Sequence, residues 1–505
     1  MFKKTLAMLL ALLMMLSLAA CVINIHDGDP DDGKKQEQTT KDPDPTKDPE
    51  RTGEPQETED PADAKFDEFK KTATIEETVL YNDNDIVITA KDLTYEDSGV
   101  TLNLLLENNR DEELSFSSVN STSVNGYMLY GGNLNCDVAA GEKADGEMYI
   151  SYNEMRLHGI YELAELGLQF TVEDYSDFKA ETDFVILKTS AFDSYTFNPN
   201  GFQDAVTSNA AKNELDYSVD FFGTEELYNS SGIRLVSQTM ISEDNGMMLY
   251  LEFVNDSRDT ILININRVAL NGLVINSSYL AESEPIRPST HRAVTVNLSP
   301  WHEEEYRGIL GITEIGSVSF DLILENTIYD VIDKERVNVN VSDASASFDK
   351  TGIEAYNDYG IRLVFKGFAK DPYGLTDRIS ALFIVENTGE EGLIVGFEGE
   401  YVSINELLSG AYGNSQILLN GEFAILDIEI TNELDISDFS EITGLEFELV
   451  IQDENSPPRT AGRRRSGSHP AAARPARRPA GCRCPQDSLG ASASPWALPL
   501  LSYFS

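Results

Sequence analysis

The side chains that most often carry chemistry in proteins are few here, and they are poorly spaced for a site. The sequence has five histidines and four cysteines, and its richest local cluster is the run 301–305, in which His302 adjoins three glutamates. An imidazole beside a carboxylate could hold one cation, but we favour a solvated acidic loop as the interpretation of this run. Cys482 and Cys484 lack the two-residue gap of a zinc or redox pair. Cys136 has no evident partner, and we expect it to be a free, partly buried thiol.

Recognisable catalytic motifs are also absent from the sequence. It contains no Gly-rich phosphate loop, no Gly-x-Ser-x-Gly and no His-Glu-x-x-His. The acidic run 27–33 approaches a calcium loop, but Asp32 stands where that loop needs Gly and Gln38 where it needs Glu. Carboxylate pairs for glycoside chemistry are uninformative among 86 acidic residues. We predict no enzyme activity, no metal site and no cofactor, and we leave open weak Ca²⁺ binding by acidic loops.

The charge balance restricts the class of partner. The chain has 38 Lys and Arg against 86 Asp and Glu, a net charge of −48, and nucleic-acid binding needs the opposite sign. At 505 residues and 41% hydrophobic composition, the chain is long enough for about three domains with packed cores. Four cysteines are too few for a disulfide framework. The sequence therefore predicts a multidomain protein that does not bind nucleic acid.

The amino terminus has the pattern of an export signal. Two lysines precede an apolar run, 5–20, that is too short to span a bilayer. The sequence Leu-Ala-Ala-Cys at 18–21 resembles the lipobox of bacterial lipoproteins, in which the cysteine thiol receives a diacylglycerol and the leader is removed. The resemblance implies a signal peptide over 1–20, lipid attachment at Cys21 and a location at the outer face of the cell membrane. An ordinary signal peptide followed by a chance cysteine is the alternative.

A polar tether is predicted to follow the lipid attachment site. Residues 21–72 are rich in Pro, Asp, Glu, Thr and Lys, so burial of apolar surface cannot offset the chain entropy. Charge and proline keep such a segment extended, and about fifty residues would span on the order of 40 Å as a random coil. We expect a disordered acidic tether that holds the domains away from the membrane.

Three phrases recur in the same order between about 75 and 455. The first is a strand with apolar residues at every second position, which ends in Asn108, Asn255 or Asn387. This alternation predicts one buried face, and the asparagine is expected to bond the backbone or to take a left-handed conformation. The alternating residues are Leu102, Leu104 and Leu106 in the first copy, Leu249, Leu251 and Phe253 in the second, and Ala381, Phe383 and Val385 in the third.

The second phrase lies 16 to 18 residues later and centres on Asn125, Asn271 and Asn405. The first two are followed by Gly, and Asn-Gly between apolar runs predicts a two-residue hairpin turn. The third is followed by Glu406, so we expect a different turn there. A third phrase, Glu-Leu-Gly in the first copy, predicts a turn that leads into another strand. The constant order and spacing indicate a tandem repeat.

Short strands and frequent turns in units of about 100 residues predict an all-β fold of three tandem antiparallel β-sandwich domains. The Tyr-Asn pair that opens each unit, the strand-Asn turn and the late Gly-x-x-Phe-type strand resemble immunoglobulin-like domains of unknown function in lipoproteins of Gram-positive bacteria. The resemblance implies immunoglobulin-like sandwiches. The predicted division is a signal peptide at 1–20, the tether at 21–72, sandwiches at 73–190, 228–342 and 356–456, linkers at 191–227 (partly helical) and 343–355, and a disordered tail at 457–505.

The tail differs in composition from everything before it. Residues 459–505 contain eight Arg and one acidic residue. The spacing in the first two units places the last strand of the third near 461–464, where the sequence is Ala-Gly-Arg-Arg. We hypothesise that the tail is a frameshifted or misassembled translation and that the third sandwich lacks its last strand. A basic arm that folds back on the acidic body or binds polyanions is the alternative.

The sequence favours a lipid-anchored extracellular surface protein that acts as a non-catalytic binding or scaffold module. Its expected partners are the membrane, through lipidated Cys21, and an unknown extracellular or envelope protein. The alternative is a solute-capturing or cell-wall-processing lipoprotein with its site at a domain junction. That alternative requires a large concave pocket with a few convergent polar groups.

Overall fold

The structure is a computed structural model. The residues it describes are 68–119, 122–174, 176, 178–243, 246–276, 284–298, 301, 304–370, 379–397, 402–409, 411–430, 439–453 and 459–467. The predicted all-β fold of three tandem antiparallel sandwiches is confirmed. We call the three sandwiches modules 1, 2 and 3.

Module 1 consists of one sheet in the order β1-β2-β3-β8, packed on strands in the orders β11-β10-β4-β7 and β12-β9-β5-β6. Leu102, Leu104 and Leu106 alternate along β3 and are buried between the two layers, because alternate side chains share one face of a strand. The elements are β1 (Thr78–Asp83), β2 (Ile86–Tyr95), β3 (Gly99–Asn108), β4 (Leu114–Ser118), β5 (Ser123–Val124), β6 (Tyr127–Met128), β7 (Asn135–Val138), β8 (Lys143–Ser151), α1 (Tyr152–Leu157), β9 (Glu165–Leu168), β10 (Phe170–Glu173), β11 (Lys179–Glu181) and β12 (Val185–Lys188).

The segment between modules 1 and 2 contains two short helices, α2 (Gly201–Thr207) and α3 (Asn209–Leu215), after a 3₁₀ turn at Phe192–Ser194. The Ser208 hydroxyl accepts a hydrogen bond from the Ala211 amide at 3.0 Å and so caps α3 at its amino end. Buried apolar residues of both helices join the core of module 1. The helices are therefore part of the packed body, not a free connection.

Module 2 repeats the strand order of module 1, and α4 follows β20 as α1 follows β8. Its core lies between β15, β16 and β20 on one side and β17, β21 and β22 on the other. The elements are β13 (Ser218–Gly223), β14 (Tyr228–Ser230), β15 (Ile233–Glu243), β16 (Gly246–Asn255), β17 (Ile261–Leu270), β18 (Leu273–Asn276), β19 (Glu284–Ile286), β20 (His291–Asn297), α4 (Glu304–Ile309), β21 (Ser317–Glu325) and β22 (Val331–Asn340).

Module 3 has the same plan, with β23, β24, β25 and β31 in one layer and β26, β27 and β32 in the other. A 3₁₀ turn at Phe439–Glu441 precedes β32. The strands are β23 (Ile353–Asp358), β24 (Ile361–Lys370), β25 (Ile379–Asn387), β26 (Leu393–Phe397), β27 (Val402–Ile404), β28 (Leu407–Ser409), β29 (Ala411–Gly413), β30 (Ser415–Leu418), β31 (Phe423–Ile430), β32 (Gly444–Asp453) and β33 (Arg459–Gly467).

Strand β33 differs from the prediction that the third sandwich lacks its last strand. It pairs antiparallel with β32, from Ile451 opposite Arg459 to Gly444 opposite Gly467, in the position that β22 holds beside β21 in module 2. The physical reason is that the open edge of β32 offers main-chain groups, which pair with any extended backbone whatever its side chains. The frameshift origin of the tail stays a hypothesis, and residues 468–505 lie outside the described residues.

Neighbouring modules share sheets. Strand β6 of module 1 pairs in parallel with β20 of module 2, and β18 of module 2 pairs in parallel with β31 of module 3. In each case the second layer of one module continues into the first layer of the next. The chain is therefore an array of sandwiches fused through their backbones.

Candidate interaction surface

The three strand-end asparagines make the same side-chain bonds. Asn108, Asn255 and Asn387 are fully buried, and each Nδ2 donates to the carbonyl four residues later at 2.8–2.9 Å. Each also donates to a carbonyl 30 or 31 residues later, at 2.8–3.1 Å. The Oδ1 atom accepts from the amide two residues later at 2.8–3.0 Å. One amide thus fixes the turn after the strand and attaches it to the opposite layer, so bonding to backbone is the role that the structure shows.

The hairpin asparagines form a second repeated set. Asn125, Asn271 and Asn405 have φ of 48°, 51° and 50°, and each Oδ1 accepts two main-chain amides in or directly before the third phrase at 2.7–3.1 Å. The expectation of a different turn in module 3 is wrong. Glu406 has φ of 70°, in the same left-handed region as Gly126 and Gly272, at 87° and 83°. A left-handed conformation is unfavourable for a non-glycine residue such as Glu406 and persists only where the surrounding structure holds it. Here the hydrogen bonds between Asn405 and the third phrase hold the turn in place.

The first joint, between modules 1 and 2, is centred on Tyr127. Tyr127 lies opposite His291 in the parallel pair, and the His291 amide donates to the Gly126 carbonyl at 2.9 Å. The Tyr127 hydroxyl donates to the Asn198 carbonyl at 3.0 Å. Its ring lies 5.1 Å from the His291 ring and 5.5 Å from the Phe197 ring, centroid to centroid. Burial raises the pKa of Tyr127, so the hydroxyl stays neutral and acts as a hydrogen-bond donor.

A buried polar cluster completes this joint. Glu252 of β16 is fully buried, and its Oε1 lies 3.1 Å from Nδ1 of His291. Its Oε2 accepts hydrogen bonds from Gln203 Nε2 of α2 and from the Ser237 hydroxyl, both at 2.8 Å. A buried carboxylate is costly unless it is hydrogen-bonded and paired. Three neighbouring side chains surround the Glu252 carboxylate with hydrogen-bonding groups, and the cluster links module 2 to the helical segment before it.

The second joint, between modules 2 and 3, uses the same hairpin with different side chains. Leu273 lies opposite Phe423 in the parallel pair. Arg267, which is buried beside the hairpin with φ of 48°, donates to Asp321 Oδ2 at 3.0 Å and also binds Glu422 of module 3. Because Arg267 binds one carboxylate in each module, these charged hydrogen bonds help to set how module 3 aligns with module 2.

The outer faces of the shared layers were missed by sequence reasoning. In module 3, Leu382 and Ile384 point away from their own core and are buried with residues of module 2. In module 2, Ile241 and Ala293 are buried in the same way against module 1. For Leu382 and Ile384 the signal is the nearly continuous apolar run of 379–385, which is typical of a strand covered on both faces. Alternation alone identified only one face.

Module 3 leaves the corresponding hairpin uncovered within the described part of the chain. The residue two positions after the hairpin asparagine is Tyr127 in module 1, Leu273 in module 2 and Leu407 in module 3. The exposed fractions of these residues are 1%, 0% and 57%. Strand β28, which begins at Leu407, is an edge of its sheet and pairs with β27. This hairpin is the candidate interaction surface.

The residues considered for chemistry are not brought together by the structure. Cys21, His302, Cys482 and Cys484 lie outside the described residues. Cys136 is half-buried and unpaired among the described cysteines, and burial raises the pKa of its thiol, which disfavours a nucleophilic thiolate. Within the described ranges, no group of three His, Cys, Asp or Glu side chains is placed to hold a metal ion. Those same ranges contain no helix with the length and apolar character to cross a membrane.

Comparisons with known proteins identify no family. No protein family and no curated protein match this chain. The structure is similar to red sea bream transglutaminase, with 9% sequence identity and a TM-score of 0.14, over 52% of this chain and 32% of that one. It is also similar to the BSP domain of a biofilm-associated protein, with 9% identity and a TM-score of 0.12, over 81% of this chain and 68% of that one. The chain thus spans about a third of the transglutaminase.

Proposed function

We propose that this protein is anchored by lipid at the outer face of the cell membrane and acts there as a non-catalytic binding or scaffold array. The observation that carries the proposal is the fusion of three sandwiches through shared sheets. Neighbouring modules are joined by short stretches of parallel main-chain pairing and by buried side chains, which suits a protein that presents binding surfaces away from a membrane.

The use of the buried polar groups supports a non-catalytic role. Asn255 fixes a turn, Glu252 is paired within the first joint, and Arg267 is paired within the second. A catalytic group needs a position from which it reaches a substrate. The hydrogen bonds of these side chains instead stabilise turns and the joints between modules. An unknown extracellular or envelope protein is the partner class that the proposal implies.

The anchor is tested on Cys21, with Cys136 as the matched control. Cells that produce the full chain are fed an alkyne-modified palmitate, and the label is read on the purified protein. We expect the Cys21→Ser variant to lose the label and to move from the membrane to the soluble fraction, because two acyl chains supply the stable attachment. The Cys136→Ser variant should keep both the label and the membrane fraction. Equal labelling of the Cys21→Ser variant and the unchanged protein would refute the anchor.

A further inference from the structure

The hairpin strands at the two joints are paired on both sides, whereas the equivalent strand of module 3 is paired on one side among the described strands. In modules 1 and 2 the second hairpin strand has a hairpin partner on one side and a strand of the next module on the other, as β5, β6 and β20 show. In module 3 the hairpin is built in the same way, with β27 opposite β28. Among the described strands, β28 has no neighbour on its other side. Its outward amides and carbonyls are a template for one more strand.

The segment that follows each closing strand also passes over the hairpin in the two joints. After module 1, Phe197 packs on Tyr127 and on His291. After module 2, the Ser347 carbonyl accepts a bond from Asn271 at 3.1 Å, and the next residue packs on Phe423. In both places the covering is therefore a parallel strand together with an aromatic side chain, and both belong to the entry into the next sandwich.

We propose that the β27–β28 hairpin of module 3 is a docking site for a sandwich module of a partner protein. The partner adds one edge strand in parallel to β28 and buries Leu407 opposite an apolar residue of that strand, as Leu273 is buried opposite Phe423 of module 3. The main-chain bonds supply affinity and the Leu407 contact supplies specificity, as in other cases of strand addition. The inference rests on the proposed function for its extracellular setting, and it names the partner class of that function.

A second copy of this chain does not fit the hairpin. In module 1 the position equivalent to His291 and Phe423 is Lys143, which is exposed and forms an ion pair with Glu107 at 2.8 Å. The next outward-facing residue on the same strand, Asp145, is also exposed. Charges on an edge strand oppose the addition of a further strand, and covering them would desolvate them. Module 1 is thus closed at the face that a head-to-tail copy would need, and the partner that we propose presents an apolar residue at this position, as Phe423 does opposite Leu273.

The test places a photo-crosslinking amino acid at position 407 of the full chain in the producing cells and identifies the attached peptide by mass spectrometry. The expected adduct is a peptide of another protein that maps to an edge strand of a sandwich module. A peptide from 468–505 would show that the tail occupies the hairpin, and one from module 1 would show a second copy. Either result overturns the proposal, as does an adduct of any other structure or no adduct above the control.

Two positions of this chain serve as controls for the crosslinking. Val79 lies on the edge strand β1 and is 57% exposed, as is Leu407, so it reports chance contacts of an exposed edge residue. Leu273 is buried and lies opposite Phe423 of module 3, and we expect a crosslinker there to attach within the chain. Binding of the identified partner should fall about tenfold or more in Leu407→Asp and stay unchanged in Val79→Asp. Equal weakening by the two substitutions would exclude this hairpin.

A negative result for the docking site can be distinguished from a negative result for the lipid anchor. Crosslinking at position 407 reports the hairpin alone, whereas palmitate labelling reports Cys21 alone. If Leu407→Asp lowers the thermal unfolding midpoint of the protein, Leu407→Gln is used in the binding measurement in its place, because Gln introduces no charge. Loss of crosslinking with Cys21 labelling intact would overturn the docking site and leave the anchored array in place.

Discussion

At the scale of single residues, buried asparagines make the side-chain hydrogen bonds that recur in all three modules. Asn108, Asn255 and Asn387 each satisfy two carbonyls and one amide at the end of a central strand. An unpaired buried carbonyl costs about 1–3 kcal/mol, so these amides stabilise the turn mainly by leaving no main-chain group unsatisfied. A carboxylate would not substitute for them, since it has no N–H to donate.

We expect Asn255→Ala to lower the free energy of unfolding by about 3 kcal/mol, because it leaves two carbonyls and one amide without their partner. Urea unfolding followed by tyrosine fluorescence measures the change. Asn229→Ala is the control: Asn229 is exposed and its amide bonds Glu226 at 2.6 Å, so its loss should cost at most about 0.5 kcal/mol. Similar costs for both substitutions would contradict the role of the buried amide.

At the scale of elements, the strand that ends in the buried asparagine (β3, β16 or β25) has a different outer face in each module. The residue three positions before the strand-end asparagine is Leu105 in module 1, Glu252 in module 2 and Ile384 in module 3. Leu105 is half-buried, Glu252 is paired in the first joint, and Ile384 is buried against module 2. These three strands have similar apolar inner faces but different outer faces. The outer face therefore decides what each module packs against.

Ile384→Asp should weaken the second joint strongly, because it buries a carboxylate without a partner at a cost of several kcal/mol. Limited proteolysis of the connection 343–352 measures the result, and we expect cleavage at a protease concentration that leaves the unchanged protein intact. Leu105→Asp places the same carboxylate at the equivalent position of module 1, where it reaches solvent, and should leave this connection protected. Cleavage at the same rate in both variants would show that the joint does not depend on this face.

At the scale of the whole molecule, the joints determine how the modules respond together. His158 follows α1 and packs on Tyr127 and Phe202, with ring centroids 5.5 Å and 5.2 Å apart. Its Nδ1 lies 2.8 Å from the Glu154 carbonyl. Burial lowers the pKa of His158 to about 4, although the hydrogen bond to the Glu154 carbonyl and the charge of Glu252 partly oppose this effect. The imidazole is therefore neutral in the folded array at neutral pH.

The stability of the first joint should decrease as the pH falls below about 6.5. A histidine with a lowered folded pKa takes up its proton more readily in the unfolded chain, so its contribution is complete above the unfolded pKa and is lost on acidification toward 4. Near pH 5 the loss amounts to about 2 kcal/mol. Calorimetry at pH 7 and pH 5 measures it, and His158→Gln should remove this part of the pH dependence. An unchanged pH dependence in that variant would contradict the assignment.

The sequence by itself determined the inner faces, the number of modules and the positions of the turns. Leu104, Leu251 and Phe383 could be assigned to cores because strand periodicity and turn chemistry are local properties of neighbouring residues. Only the tertiary structure decided that the modules share sheets, that Ile384 is buried on an outer face and that Leu407 is exposed. Those facts depend on backbone pairing between segments far apart in the chain, and a strand edge pairs through main-chain groups that every residue carries.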